Sequence, residues 1–446
     1  MDSLSTPLQA KPPLSNQKIF QTWLPLVASW MLMSFELPAI NAIVARLANP
    51  EISLAAYGGI VYPIALIIEA PVIMLLAAST ALSRDWDSYR KLRRITLWMG
   101  GALMALHVLI AVTPMFDFIT NVLLKAPPEI IEPARQGFLY LSPWTFAIAF
   151  RRFQQGAMIR HGHSEMVGQT TFVRLITVTI VLTVGYLVKT IPGPILAGSA
   201  QGLGVTAEAI YAGLAVRKIR PLIQAAPEAP QPLTLKRFVS FYLPLALTSS
   251  LWLLWQPLVS ASISRMPNAL ESLAVWSVVT GLLFMFRSPG VAYNEVMVAL
   301  LEERDSVQAL KRFARNIALG TTAVILLFVL TPLSRLWLQF IAALLPGLIE
   351  SGRVALILAI PLGALSVYIS YYQGFLVQRS TTGGVAEAVV AFLIGMVTVL
   401  IGGVVAQTFK GVHVAVVAFT AAHLIQAVWL WFRSRKVRHE VVEQPV

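Results

Sequence analysis

Long apolar segments recur along almost the whole sequence, from about residue 19 to residue 432, with short polar stretches between them. Each segment is long enough for a helix to cross a hydrocarbon core of about 30 Å. Backbone groups in lipid must be hydrogen-bonded within their own segment, so we predict that these segments are helices. Only 12% of the residues are charged, which is too few to cover a water-exposed surface. The chain is therefore predicted to be an all-α integral membrane protein.

Twelve membrane-spanning helices are predicted. Their approximate spans are residues 19–46, 53–82, 94–114, 135–160, 165–188, 195–217, 237–264, 271–300, 315–334, 353–379, 384–406 and 412–432. The residues before the first span lack the apolar run and small-residue cleavage site of a signal peptide, so they are predicted to be a cytoplasmic tail.

The distribution of Lys and Arg predicts the topology. With the amino terminus inside, 22 of these residues lie on the cytoplasmic side, eight lie on the other side, and four lie within spans. An excess of positive residues marks the cytoplasmic side, so we predict a multi-pass protein of the inner (cytoplasmic) membrane with both termini inside. The net charge of +13 is then mostly a topology signal, and no nucleic-acid partner is predicted. The absence of cysteine excludes disulfides and thiolate sites, and no metal or cofactor is predicted.

An internal repeat indicates the architecture. At one constant spacing, the string WLPL at 23–26 recurs as YLPL at 242–245, Pro38 recurs as Pro257, and Arg46 recurs as Arg265. Further along, the spacing between the copies is one residue shorter, and Pro143 recurs as Pro361. Each half holds six predicted spans, an even number, so both halves enter the membrane from the same side. The repeat therefore predicts two parallel six-helix bundles related by an axis along the membrane normal, which is typical of alternating-access carriers.

Domain boundaries follow from the repeat and from a proline-rich stretch between the halves. The predicted divisions are a cytoplasmic tail at 1–18, an amino-terminal bundle at 19–220, a cytoplasmic linker at 221–234, a carboxyl-terminal bundle at 235–434 and a cytoplasmic tail at 435–446.

Several short strings resemble the progressive ankylosis protein family, within the multidrug, oligosaccharidyl-lipid and polysaccharide flippase superfamily. They are LAAYG at 54–58, LHVLIA at 106–111, FLYL at 138–141, YLPLA at 242–246 and GVHVA at 411–415. The resemblance implies a fold like that of the multidrug and toxin extrusion (MATE) antiporters. It also implies a bacterial-type member that exports organic anions such as citrate, ATP or pyrophosphate. An aromatic stretch at 251–256 replaces the seventh-helix arginines of the animal proteins, so the exact substrate stays open.

Charges inside the predicted spans are the candidate substrate site, because a charge near the bilayer centre costs at least about 2.5–3.5 kcal/mol and needs a partner or a watery cavity. The candidate ligands for an anion are Arg151, Arg152, Gln155, Arg174 and Arg287. Guanidinium groups bind carboxylate or phosphate through paired hydrogen bonds. Arg287 has no acid at its own depth in its own half. The alternative for the other arginines is an ion-pair cluster that holds the bundle together.

Three intramembrane acids, Glu36, Glu69 and Glu208, are candidate sites for a coupling proton or sodium ion. The alternative is that they only neutralise nearby arginines. Glu36 is favoured for coupling because it precedes Pro38, and a helix broken by proline frees carbonyls that can join an ion site. The isolated His107, His413 and His423 are predicted to be packed side chains, with His423 the one to test as a proton relay.

The predicted function is a secondary transporter for an organic anion. No phosphate-binding loop of the type Gly-x-x-x-x-Gly-Lys occurs, so a nucleotidase within this chain is excluded as the energy source. The intramembrane acids lie on different helices, so an enzyme is not predicted. The alternative is a proton- or sodium-coupled multidrug cation antiporter, or a flippase for a lipid-linked substrate. The predicted partners are a small organic anion and membrane lipids, and the predicted state is a monomer.

Overall fold

A computed structural model describes residues 14–228, 231–379 and 383–438 of the protein. Within these ranges the chain forms twelve long helical segments and no strand. Ten of the segments are long and apolar enough to span a membrane. The other two are the fourth and sixth, which carry more polar residues. The predicted all-α membrane fold is confirmed, whereas the first thirteen residues of the predicted tail and those after 438 lie outside the described residues.

The first six segments form the amino-terminal half, which we call the N lobe. They are α1 (Asn16–Val44), α2 (Pro50–Leu82), α3 (Trp86–Val112), α4 (Pro128–Leu141 and Pro143–Arg160), α5 (Glu165–Val188) and α6 (Gly193–Ala225). A short helix, Met115–Leu124, lies between α3 and α4.

The last six segments form the carboxyl-terminal half, the C lobe. They are α7 (Leu235–Ile263), α8 (Ala269–Leu300), α9 (Ser306–Leu330), α10 (Pro346–Gln378), α11 (Gly383–Ala406) and α12 (Gly411–Arg433). A short helix between α9 and α10 runs through Leu333–Leu336 and Trp337–Ile341, at the place where the N lobe has its own.

Helix starts and breaks follow the repeat. Ser15 caps α1 by accepting a hydrogen bond from the Lys18 backbone, and Thr234 caps α7 through Arg237 in the same way. Both helices are interrupted in the middle, α1 at Phe35 and α7 at the equivalent position of the repeat. Each break lies three residues before a proline, which has no N–H to donate to the preceding turn. Equivalent sequence signals therefore produce equivalent bent helices.

The first helix of each lobe packs against a helix of the other lobe. In the described part of the chain, α1 packs along α8, and α7 packs along α2. Equivalent hydrogen bonds mark the two contacts. Trp23 on α1 donates to the carbonyl of Pro289 at 3.0 Å, and Tyr242 on α7 donates to the carbonyl of Pro71. This reciprocal packing is what a two-fold relation between the halves would produce.

Two arginines join the lobes on the face predicted to lie outside. Arg46, at the end of α1, donates to the carbonyl of Ile341 in the C-lobe short helix at 2.9 Å. Arg265, at the end of α7, donates to the carbonyls of Leu124 and Leu123 in the N-lobe short helix at 3.1 and 2.8 Å. Both guanidinium groups therefore bind the free carbonyls at the end of a helix in the opposite lobe. We call this pair the arginine latch.

The boundary between the lobes differs from the predicted one. The predicted first bundle ends at residue 220 and the predicted linker begins at 221, whereas α6 continues through Pro221 to Ala225. A proline one turn from a helix end removes a single backbone hydrogen bond, which a solvated helix end tolerates. The connection between α6 and α7 is therefore shorter than predicted, and residues 229–230 within it lie outside the described residues.

Candidate functional site

A cavity of about 610 Å³ lies mostly within the C lobe and is bordered by the N lobe at α1 and α2. Its wall is formed mainly by α7, α8 and α10, and α1, α2, α11 and α12 complete it. The cavity extends along α8 from Arg287 to Glu295, about two turns toward the predicted cytoplasmic end of that helix. Its main polar lining residues are Arg287, Asn294, Glu295, Ser370, Gln373 and Gln426.

Arg287 is the positive charge of this cavity. Its Nη2 lies 2.7 Å from Nε2 of His423, and the Nδ1 of that histidine lies 2.7 Å from the Phe419 carbonyl. Because Nδ1 must donate to the carbonyl, Nε2 is the acceptor for the guanidinium. The guanidinium also lies 5.1 Å from the centre of the Phe419 ring. No described carboxylate forms an ion pair with Arg287, so its charge faces the cavity without a counter-ion.

Other polar groups line the same cavity. The side-chain carbonyls of Asn294 and Gln426 are buried and have no hydrogen-bond partner among the described residues. At the far end, Glu295 accepts a hydrogen bond from Nε1 of Trp30 at 3.0 Å. The cavity therefore has a cationic end at mid-depth, an acidic end two turns away, and unused amide groups between them.

Most of the other predicted arginines lie in an ion-pair network inside the N lobe. Arg151 donates to Glu208 at 2.9 Å, and Arg174 lies 3.2 Å from Glu36 and 3.7 Å from Glu208. Gln155 donates to the same Glu208 at 3.1 Å. All five side chains are buried. The network holds α1, α4, α5 and α6 together, and none of its members lines the cavity around Arg287. Their role as substrate or coupling residues stays a prediction.

Glu69 and Arg152 lie close enough to this network to interact with its charges, but neither forms an ion pair within 4.0 Å among the described residues. Glu69 is buried, and its Oε2 has no hydrogen-bond partner among the described residues. The Nε of Arg152 also has no partner there. Of the three acids predicted for coupling, Glu36 and Glu208 are held by arginines within 4.0 Å, whereas Glu69 forms no such pair in the described chain.

The C lobe lacks the charges of the N-lobe network. At the repeat spacing, Glu36 corresponds to Trp255, Arg174 to Phe392 and Glu208 to Gln426. An aromatic cluster takes the place of the ion pairs, with Trp255 and Phe419 rings 4.7 Å apart and Phe392 and His423 rings 4.9 Å apart. Arg287 is thus set against aromatic and neutral groups, not against acids.

Several cavity residues were missed by the sequence analysis. His423 is predicted to be a packed side chain, whereas in the structure it is the hydrogen-bond partner of Arg287. Asn294 and Gln426 are single polar residues, and nothing in the sequence around them indicates a cavity. Gln426 could have been found through the repeat, because it occupies the position of Glu208. No group of three metal-ligating side chains occurs among the described residues.

A family model described as progressive ankylosis protein matches residues 15–285 of the chain. The match spans more than half of the sequence. The chain belongs to the progressive ankylosis protein family. The resemblance drawn from the short strings is confirmed, and the matched region contains the N-lobe network and about half of α8. Comparison with curated protein sequences gave no match.

Solved structures share the fold at low sequence identity. One is an inward-facing multidrug resistance MATE family transporter of the MOP superfamily, with a TM-score of 0.63, 14% identity, and coverage of 96% of this chain and 99% of that one. Another is the lipid II flippase MurJ in an inward closed conformation, with a TM-score of 0.69, 14% identity, and coverage of 94% and 90%. A third is a MOP superfamily transporter from Pyrococcus furiosus, with a TM-score of 0.56, 16% identity, and coverage of 96% and 100%. The predicted MATE-like fold of this family member is confirmed.

Proposed function

We propose that this protein is a secondary transporter that carries an organic anion through the cavity around Arg287 by alternating access. The observation that carries the proposal is Arg287, a partly buried arginine that lines the cavity and has no carboxylate partner among the described residues. Membership of the progressive ankylosis protein family and the fold shared with membrane transporters support it. The inner membrane, cytoplasmic termini and a monomeric state belong to the same proposal.

The chemistry of the cavity suits a carboxylate or phosphate group. A guanidinium has five N–H donors, and His423 occupies only one side of this one. An anion that binds the remaining donors would compensate a charge whose burial is otherwise costly. The volume of about 610 Å³ lies within the range of about 300–1,000 Å³ that is typical of small-molecule sites.

Glu69 is the coupling residue that the arrangement favours. A carboxylate that carries a proton or sodium ion during transport has to exchange partners, and an ion pair with an arginine opposes that exchange. Glu36 and Glu208 are both held in this way. Glu69 has no ion pair among the described residues and lies on α2, which packs against α7 of the other lobe. It is therefore a better candidate than Glu36, which the sequence pattern favours.

Rocking of the lobes provides alternating access in this proposal. The breaks at Phe35 in α1 and Leu254 in α7 allow each helix to bend where it crosses from one lobe to the packing surface of the other. The arginine latch would then hold the outer face closed while the substrate enters from the opposite side.

One feature favours a second candidate, a multidrug cation antiporter. Glu295 and the aromatic side chains Trp30, Trp252 and Phe284 line the same cavity. A carboxylate beside aromatic rings is a suitable environment for an organic cation. This candidate places the ligand at the Glu295 end of the cavity, away from Arg287.

Ligand-dependent thermal stability of the purified protein tests the proposal. A ligand present at about 100 times its Kd stabilises the folded state by about 2.7 kcal/mol. Citrate, ATP or pyrophosphate should therefore raise the unfolding temperature of the parent, and Arg287→Ala should abolish this rise. Arg353→Ala is the matched control, because it removes a C-lobe arginine whose one ion pair among the described residues is with Glu350, and neither residue lines the cavity.

Two outcomes would contradict the anion carrier. If Arg287→Ala keeps the stabilisation by anions, Arg287 is a structural charge. If organic cations stabilise the parent and Glu295→Gln removes that effect, the antiporter is the better description. Uptake of a radiolabelled anion into proteoliposomes then shows whether binding leads to transport.

A further inference from the structure

A second and larger cavity, of about 870 Å³, lies within the N lobe at the ends of α3, α4 and α6 that are predicted to face the cytoplasm. It is separate from the cavity around Arg287 and shares no lining residue with it. Five arginines line it, and no described acidic residue does: Arg90, Arg93, Arg94, Arg217 and Arg220. We call it the arginine pocket.

The arginines of this pocket are held by an aromatic ring more than by acids. The guanidinium carbons of Arg220 and Arg90 lie 4.8 and 5.9 Å from the Trp86 ring. Asp87 lies 3.6 Å from Arg90 and 2.7 Å from Lys91, and it does not line the pocket. The three remaining arginines form no ion pair within the described ranges. The pocket therefore gathers positive charges that repel one another and that a bound anion would stabilise.

One side of the pocket is apolar and open to the membrane. Ile210 and Leu214 on α6 line it, and their side chains are 60% and 48% exposed. Leu97 on α3 completes this edge. Polar side chains also line the pocket, where Tyr89 donates a hydrogen bond to Gln154 at 2.9 Å. A ligand that fits both sides has an anionic part near the helix ends and an apolar part against α6.

The C lobe fills the equivalent space with aromatic side chains. Gly213 and Gln154 of the arginine pocket correspond, in the repeat, to Trp431 and Tyr372. The guanidinium of Arg435 lies 5.4 Å from the Trp431 ring, and that of Arg438 lies 5.1 Å from the Tyr372 ring. Arg435 and Arg438 occupy the positions of Arg217 and Arg220, and the ring beside each comes from the residue that replaces Gly213 or Gln154. In the N lobe, a glycine and an amide leave an open space beside them.

We propose that the arginine pocket binds the phosphate headgroup of an anionic phospholipid in the predicted cytoplasmic leaflet. Arginine forms paired hydrogen bonds with phosphate oxygens, and basic pockets between membrane helices on this side are suited to lipid headgroups. A free phosphate would use the arginines but not Ile210 and Leu214, so the exposed apolar edge favours a lipid over a soluble anion.

Retention of lipid by the purified protein, measured by native mass spectrometry, tests this proposal. The parent is compared with Arg94→Ala/Arg217→Ala, which removes two charges of the pocket. The matched control is Arg312→Ala/Arg435→Ala, which removes the arginines that the repeat places at the equivalent positions of the C lobe. Titration with phosphatidylglycerol, phosphatidylcholine and glycerol 3-phosphate separates the contribution of charge, lipid and soluble phosphate.

The parent should bind phosphatidylglycerol more tightly than phosphatidylcholine, and glycerol 3-phosphate should compete poorly. Each basic residue near a membrane surface contributes about 1 kcal/mol, so the pocket variant should bind phosphatidylglycerol about thirty-fold more weakly and the C-lobe control should resemble the parent. Equal loss in both variants, or no preference for the anionic lipid, would overturn the site. If glycerol 3-phosphate competes effectively, the ligand is a soluble anion and the proposal of a lipid is wrong.

Discussion

Removal of the arginine latch should open the outer face of the protein. Arg46 and Arg265 occupy equivalent positions of the repeat, and each donates across the lobe boundary to two carbonyls at the end of a short helix. The two guanidinium groups therefore hold the same face from both sides of the boundary. The change that tests the latch is the double substitution Arg46→Ala/Arg265→Ala.

The expected magnitude follows from the four hydrogen bonds that cross between the lobes. A protein hydrogen bond contributes about 0.5–1.5 kcal/mol net, and the low end applies here because Arg46 is exposed to solvent. Loss of both arginines should therefore shift the equilibrium by about 2 kcal/mol, or about thirty-fold, toward separation of the lobes. A parent population that is about 1% open would become roughly a quarter open.

Pulsed electron paramagnetic resonance measures this shift directly. The chain has no cysteine, so spin labels can be placed on Glu129→Cys and Gly347→Cys without removing native thiols. Both positions are exposed, one in each lobe, and a Cβ at Gly347 meets open space. In the latch variant, the distance distribution should gain a longer component that the parent lacks or holds at a low level.

The control removes two arginines from the same face without crossing the lobe boundary. Arg135 pairs with Asp117 and Glu132 in the N lobe, and Arg353 pairs with Glu350 in the C lobe. Arg135→Ala/Arg353→Ala should leave the distance distribution unchanged. If the control shifts as much as the latch variant, lost surface charge explains the effect. If the latch variant does not shift at all, the arginines do not hold the face closed.

Three further outcomes are expected. Pro38→Ala should slow anion flux into proteoliposomes while the binding affinity stays within about two-fold, since it restores a backbone hydrogen bond at a hinge; a parallel loss of affinity would argue against a hinge. Glu69→Gln should keep anion binding and lose the dependence of flux on an imposed pH or sodium gradient; unchanged dependence would exclude Glu69 from coupling. Glu208→Gln should lower the free energy of unfolding by about 3–5 kcal/mol in thermal denaturation, because Arg151 and Arg174 lose a buried partner. The control Glu387→Gln removes an exposed pair and should lower it by only about 0–1 kcal/mol.

The helices and their breaks could be predicted because local signals determine them. Apolar length defines a span, capping residues mark its start, and a proline interrupts it within one turn. The repeat adds independent support, since Pro38 and Pro257 disrupt equivalent helices. The end of α6 was missed because a proline near a solvated helix end does not have to stop the helix.

The partners of the intramembrane charges could not be predicted from the sequence. Whether Arg174 meets Glu36 or a substrate depends on the rotation of α5 and α1, and no local pattern determines that rotation to within one residue. For the same reason, the contact between Arg287 and His423 could not be predicted, since the two residues lie far apart in the sequence. Arg287 was identified because a lone charge among apolar neighbours is costly wherever the helix points.

The repeat separates the structural charges from the one that defines the cavity. The N lobe holds three intramembrane arginines, Arg151, Arg152 and Arg174, and three acids, so its interior is neutral overall. At the repeat spacing, the C lobe has Trp255, Phe392 and Gln426 in place of Glu36, Arg174 and Glu208, none of which can compensate Arg287. Arg287 itself occupies the position of Glu69. Replacing Arg287 with an apolar residue would avoid an insertion cost of about 2.5–3.5 kcal/mol, so folding alone does not explain why the arginine is present. Its presence beside a cavity, with His423 and Phe419 as its described neighbours, therefore supports the proposed anionic ligand.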